Sequence, residues 1–290
     1  MTLRSSQAAL AWSPTAGERS DYGRWHDPNT PVCWASVTKV FVAGVTRALV
    51  DRGDLDWATP VGDLLGVDAP MTLASLVEHR SGLPRALPEQ KATLPDPYAA
   101  WTAEHFDASV LPRLTELATT TDDYSNVGYA VLGRALERHT GTDWLTLVRD
   151  LVVTPLGLSG ADFTVDAPVT AGGPIPVSLD LRGRPVAEWD TSTGPFSAAG
   201  GLCATLPAMH AVLLAAVEQG GPLLPGDGPH AWVTTGQRSW HSGALFRSGS
   251  LAVVDSGTGA VAVAHALGGA PGMGSRHAEK ALSALLEAAA

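Results

Sequence analysis

The chain is poor in several things at once. Two cysteines, Cys33 and Cys203, stand 170 positions apart in 290 residues, which fits neither a disulfide scaffold nor a metal-ligand spacing. Two buried thiols are therefore expected, and whether they pair stays open because sequence carries no distance. Basic residues are also scarce: 19 Lys+Arg against 29 Asp+Glu give a net charge of −10 and argue against a nucleic-acid partner. No run approaches the ~20 apolar residues of a membrane span, since Arg47, Asp51 and Asp255 interrupt the best candidates. The first six residues hold one basic residue, Arg4, and Gln7–Trp12 falls short of the ~7–15 apolar residues of a secretory core. No export signal is read, and a soluble, cytoplasmic protein is expected. Gly-x-Ser-x-Gly, His-Glu-x-x-His and Walker-type loops are all missing, which excludes an α/β-hydrolase elbow and leaves no support for a metal or a cofactor.

What is present is the composition of a folded chain, 45% apolar and 17% charged, long enough for one large domain or two packed lobes. Residues 7–12 and 19–25 read as a hairpin around Ser13–Gly17. A buried helix is expected from Ser36 to about Asp51, closed by Arg52-Gly53. Helices over 71–79, 126–138 (ending at Gly141) and 142–152 (ending before Pro155) suggest a helical block with no strand. After residue 230 three antiparallel strands follow, over 239–246, 250–254 and 260–267. A last amphipathic helix, about 275–289, carries Ala278, Ala281, Leu282, Leu285 and Leu286 on one stripe, with Glu279, Lys280 and Glu287 outward. The expected class is α+β: an antiparallel sheet flanked by terminal helices with an inserted helical lobe. It makes one domain over 1–290, with an α/β lobe at about 1–65 and 190–290 and a helical lobe at about 66–189.

Three clusters carry chemistry. Ser36-Val37-Thr38-Lys39 puts a hydroxyl and an amine one helical turn apart, and a lysine desolvated by its apolar neighbours can take the serine's proton. Chance alone gives about 0.2 such spacings in this composition, so this pair is weak by itself. Tyr124-Ser125-Asn126 says more, because only four Tyr and two Asn exist and chance gives about 0.03. A phenol beside an ammonium would be acidified and could shuttle a proton, while the Asn126 amide holds a substrate carbonyl or caps a helix. His241-Ser242-Gly243-Ala244, on an expected strand, would line a cleft wall, with Gly243 allowing close backbone approach. The similar His139-Thr140-Gly141 reads as a helix end. Arg247 is either a carboxylate anchor or a turn residue, His79 and Ser81 shape a turn, and Trp34, Trp144 and Trp240 pack in the core or line a pocket.

In this order the motifs resemble the serine β-lactamase-like and penicillin-binding proteins, above all the class C β-lactamase, DD-peptidase and esterase branch. The resemblance extends to Leu55-Asp56 with Pro60-Val61, His79-Arg80-Ser81-Gly82-Leu83-Pro84, Pro155-Leu156-Gly157-Leu158 and Ala198-Ala199-Gly200-Gly201-Leu202. It implies a β-lactamase/transpeptidase-like fold and an acyl-serine mechanism. Ser36 would attack, Lys39 and Tyr124 would share the acid and base work in an order left open, and Asn126 would position the substrate. His241 and Ser242 would support its far end, and the N–H groups of Ser36 and Ala244 would form the oxyanion hole. The deacylating Glu of class A enzymes has no counterpart, so water activation would fall to Tyr124. His241 stands where β-lactamases of this branch have Lys, which favours hydrolysis of a small ester, amide or D-amino-acid peptide over a β-lactamase or DD-carboxypeptidase. A ligand-binding or sensor module that acylates without turnover is the alternative from another class. A small molecule or short peptide is the expected partner, with oligomeric state open.

Overall fold

The computed structural model describes residues 5–90, 96–165, 178–268 and 272–287. Lys91, the first four residues and the end of the expected last helix lie outside them. β1 (Ser5–Ser13), buried on both faces from Ala8 to Ala11, and the turn at Gly17, whose φ of 66° suits glycine, fold the N-terminal hairpin with β2 (Gly17–Tyr22). The C-terminal meander is β3 (Val233–Thr235), β4 (Arg238–Ala244), β5 (Ser248–Asp255) and β6 (Ala260–Gly268). Asp255 Oδ1 accepts from the backbone N–H groups of Gly257 and Thr258 and so shapes the turn between β5 and β6. Both ends of the chain meet in one six-stranded antiparallel sheet of order β2-β1-β6-β5-β4-β3, with Ala8 opposite His265 and Ser250 opposite Gly243.

Helix α1 (Thr38–Asp51) is buried on nearly every face, as its all-round apolar sequence requires. The helix begins two residues later than expected, because Ala35–Val37 form a 3-10 turn, and Gly53 at φ 78° follows its end. Helix α2 (Asn126–Thr140) stops at Gly141, whose φ of 71° and N–H donation to the Glu137 carbonyl confirm a C-cap at the competing His139 motif. Helix α3 (Leu206–Gln219), capped by Thr205, packs on β1 and β6 and was not expected. Helix α4 (Gly274–Glu287) lays Ala278 and Leu282 over Ala9, Ala11, Leu251 and Ala264 on the opposite face. The helical stretch is not strand-free: Phe163–Thr164 pairs with Cys203–Ala204, which also pairs with Val32–Cys33. Beside α4, an open groove of about 620 Å³ is lined by Trp240, Leu251, Val253 and Leu282, and it touches none of Ser36, Lys39 or Tyr124.

Candidate active site

A hydrogen bond and a backbone turn seat the serine. The Ser250 hydroxyl on β5 donates to the Trp34 carbonyl at 2.6 Å, and Ala35 takes a positive φ of 47° to swing the chain into the 3-10 turn that bears Ser36. A Cβ on Gly243 would lie 2.4 Å from that same Trp34 carbonyl and 2.9 Å from the Ala35 methyl. Gly243 therefore makes room for the serine turn itself; the space expected for substrate backbone is filled by protein. Trp34 and Trp144 are core residues, each with its indole N–H satisfied, by the Ala204 carbonyl and the Ser197 hydroxyl.

Lys39 is fully buried and its amine touches three oxygens: Asn126 Oδ1 at 2.9 Å, the Ala199 carbonyl at 2.6 Å and Ser36 Oγ at 3.3 Å. Burial, helped by the Arg85 guanidinium, holds its pKa well below the ordinary lysine value. A neutral amine has two N–H bonds and one lone pair. Asn126 Oδ1 and the Ala199 carbonyl hold the amine in place against Ser36 Oγ, close enough for a proton to pass between them once the amine is neutral.

The expectation for Tyr124 is corrected. Burial pushes the phenol's pKa up to about 12 despite its hydrogen bond with Ser36 and the nearby Arg85 charge, so Tyr124 is not acidified. It is a neutral O–H donor at ordinary pH, a poor base for activating water. The cap of α2 is also not Asn126: Ser125 accepts from Gly128 N at 2.7 Å and donates to the Pro84 carbonyl, leaving Asn126 to reach Lys39 and the hydroxyl of Tyr98. His79 does more than shape a turn. At φ 58° it accepts from Ser125 N at 3.0 Å, and its ring lies 4.3 Å from that of Tyr124.

Strand alternation separates the third cluster. His241 and Gly243 share the buried face toward Ser36, whereas Ser242 shares the face of Trp240, toward α4, so its hydroxyl does not line the cleft wall. His241 is a neutral ring at ordinary pH: burial is the largest cause that pulls its pKa down to about 3. Ala244 and Ser36 both line a cavity of about 30 Å³ with Tyr98, Asn126, Thr191 and Phe196, in keeping with paired backbone donors. Arg247 does not line that cavity; its guanidinium lies over the Phe246 ring. Its turn is strapped by Glu188, whose carboxylate accepts from the N–H groups of Phe246 and Arg247 and from the Ser248 hydroxyl. Tyr98, Arg85 and Glu188 were not singled out from sequence. No cluster of three His, Cys, Asp or Glu able to hold a metal occurs among the described residues, and no described helix is long and apolar enough to cross a membrane.

The family model described as Beta-lactamase matches residues 12–285, which include every residue of the Ser36 constellation. The chain belongs to the Beta-lactamase family. Within it, the chain is 33% identical over 131 residues to "Penicillin-binding protein 4" of Amycolatopsis lactamdurans (42% of this chain, 33% of that protein). It is 26% identical over 175 residues to "Beta-lactamase-like protein 2" of Dictyostelium discoideum (54% of this chain, 31% of that protein). The matches thus span about a third of those curated relatives' length. Among solved structures it superposes on the D-amino acid amidase of Ochrobactrum anthropi SV3 with TM-score 0.70 and 20% identity, over 98% of this chain and 93% of that one. A D-stereospecific amidohydrolase from Streptomyces sp. gives TM-score 0.72 and 22% identity, over 98% and 94%. The fold is that of the β-lactamase/transpeptidase-like proteins.

Proposed function

We propose that this chain is a serine hydrolase working through an acyl-serine intermediate on a small amide, ester or D-amino-acid peptide. The carrying observation is the amine of Lys39, buried, and held by Asn126 Oδ1 and the Ala199 carbonyl against Ser36 Oγ. Lys39 takes the Ser36 proton as Oγ attacks the carbonyl carbon, and the N–H groups of Ser36 and Ala244 receive the oxyanion. The proton then passes to the leaving group through the neutral Tyr124 hydroxyl, which gives one proton and gains another. Lys39 is neutral again and can deprotonate the deacylating water. The near end-to-end superposition on two amidases favours a small amide substrate.

Fluorophosphonate treatment followed by intact-mass and peptide analysis tests this reading. One adduct, on the peptide bearing Ser36, is the expected result; an unlabelled protein, or label elsewhere, overturns it. Turnover of D-amino-acid amides, with an acyl ester on Ser36 that hydrolyses and does not accumulate, separates an enzyme from a sensor that stays acylated.

Arg85 offers a check on the base. Its positive charge lowers the Lys39 pKa, so Arg85→Gln raises it, and a higher pH is then needed to populate the neutral amine. The acid limb of the acylation rate against pH is expected to move upward; a limb that stays or moves down excludes Lys39 as the titrating base.

A further inference from the structure

We propose that Cys33 and Cys203 form a redox modification site that closes to an intramolecular disulfide by exchange with a low-molecular-weight disulfide. The two are the chain's entire cysteine content, and folding brings them from 170 residues apart to directly opposed positions of one antiparallel strand pair. Their sulfurs stand 3.1 Å apart. Opposed residues on antiparallel strands have Cα atoms about 4.5–5.5 Å apart, inside the span a disulfide bridges, so bond formation needs only about 1 Å of approach between the sulfurs. The backbones cannot drift apart beforehand, because Trp34 N donates to the Leu202 carbonyl at 2.8 Å and the Trp34 indole N–H to the Ala204 carbonyl at 3.0 Å.

Exposure sets the order of events. Cys33 is part-exposed and Cys203 is buried. The Cys33 thiolate attacks one sulfur of a small disulfide RS–SR, forming Cys33–S–S–R and releasing RS⁻. Cys203 gives up its proton to a released thiolate and attacks Cys33 Sγ, expelling the second RS⁻. The protein loses two electrons and two protons, and the small disulfide becomes two thiols. The closed bond joins two segments of the Ser36 site: Cys33 lies three residues before Ser36, and Cys203 four residues after Ala199, whose carbonyl holds the Lys39 amine. It also removes the freedom of a 170-residue loop from the unfolded chain.

The full chain incubated with oxidised glutathione under native conditions tests this, with acid quenching and intact-mass analysis. The expected product has lost two hydrogens, carries no glutathione, resists alkylation after denaturation and yields one linked peptide pair containing Cys33 and Cys203. Dithiothreitol reverses it, and the midpoint of thermal unfolding is higher in the oxidised form by roughly 5–10 °C. In Cys203→Ser the reaction stops at one glutathione on Cys33, and in Cys33→Ser no adduct forms while the chain stays folded. A wild type that accumulates the mixed disulfide, or retains two alkylatable thiols, overturns the proposal. None of these readouts uses hydrolase activity, so the result is independent of the function proposed above.

Discussion

Ser36→Ala and Lys39→Met are each expected to lower kcat/KM on a small activated ester or amide by about 10³–10⁴-fold, and the double variant by no more than either alone. The coincidence follows from the geometry. Without the Ser36 hydroxyl there is nothing for the amine to deprotonate, and without the amine the hydroxyl faces only Tyr124, a phenol with a pKa raised to about 12. Methionine is nearly isosteric with the lysine stem and needs no hydrogen bonds, but it leaves Asn126 Oδ1 and the Ala199 carbonyl without a donor. Urea unfolding of the variant therefore accompanies the kinetics. Losses that add in the double variant would mean that Ser36 and Lys39 act separately, which the proposed mechanism does not survive.

Acid is expected to unfold the protein over a narrow range. His26 is buried between the Ser6 hydroxyl, 2.9 Å from its Nδ1, and His265, 3.0 Å from its Nε2, and burial lowers its pKa to about 4. His265 is held well below its usual value by burial and by His26, and His79 and His241 are both brought down to about 3, burial being the largest cause. A histidine whose folded pKa is depressed stays neutral in the fold while the unfolded chain binds a proton near pH 6.5. Its contribution is complete above pH 6.5 and is lost as pH falls through 6.5 toward 4 and 3. Each such group adds a slope of up to about 1.4 kcal/mol per pH unit, and His26 alone is worth about 3 kcal/mol, against a total stability of about 5–15 kcal/mol. Urea midpoints measured from pH 7.5 to 4.5 should fall steeply below 6.5, and His26→Gln should flatten the slope. A midpoint independent of pH across that window would show that these rings titrate normally in the fold.

The nucleophile end of the site was legible because its signal is local. Ser36 and Lys39 are one turn apart, and the rarity of Tyr and Asn marks 124 and 126, so the fold had only to bring two short segments together. The errors came from packing. The motif reads Ser242 together with His241 although neighbours on a strand face opposite ways, and an acidified Tyr124 leaves out the burial that raises its pKa to about 12. Arg85, Tyr98 and Glu188 sit in segments without periodic pattern and reach the site by chain crossings of long sequence separation. Helix α3 went unread because Leu206–Gln219 is apolar on nearly every face, so no stripe sets a helical period apart from a buried run.

The tight fit of Gly243 against Trp34 and Ala35 divides the cleft for anyone wishing to change what it accepts. On that side a single added methyl at 243 collides with the Trp34 carbonyl and the Ala35 methyl, so a substitution there displaces the turn that bears Ser36 before it alters selectivity. Across the opening, Tyr98, Thr191, Phe196 and Leu245 present side chains to the same small cavity. Selectivity can be redrawn there by ordinary changes of side-chain volume, with the chemistry on the opposite wall left standing.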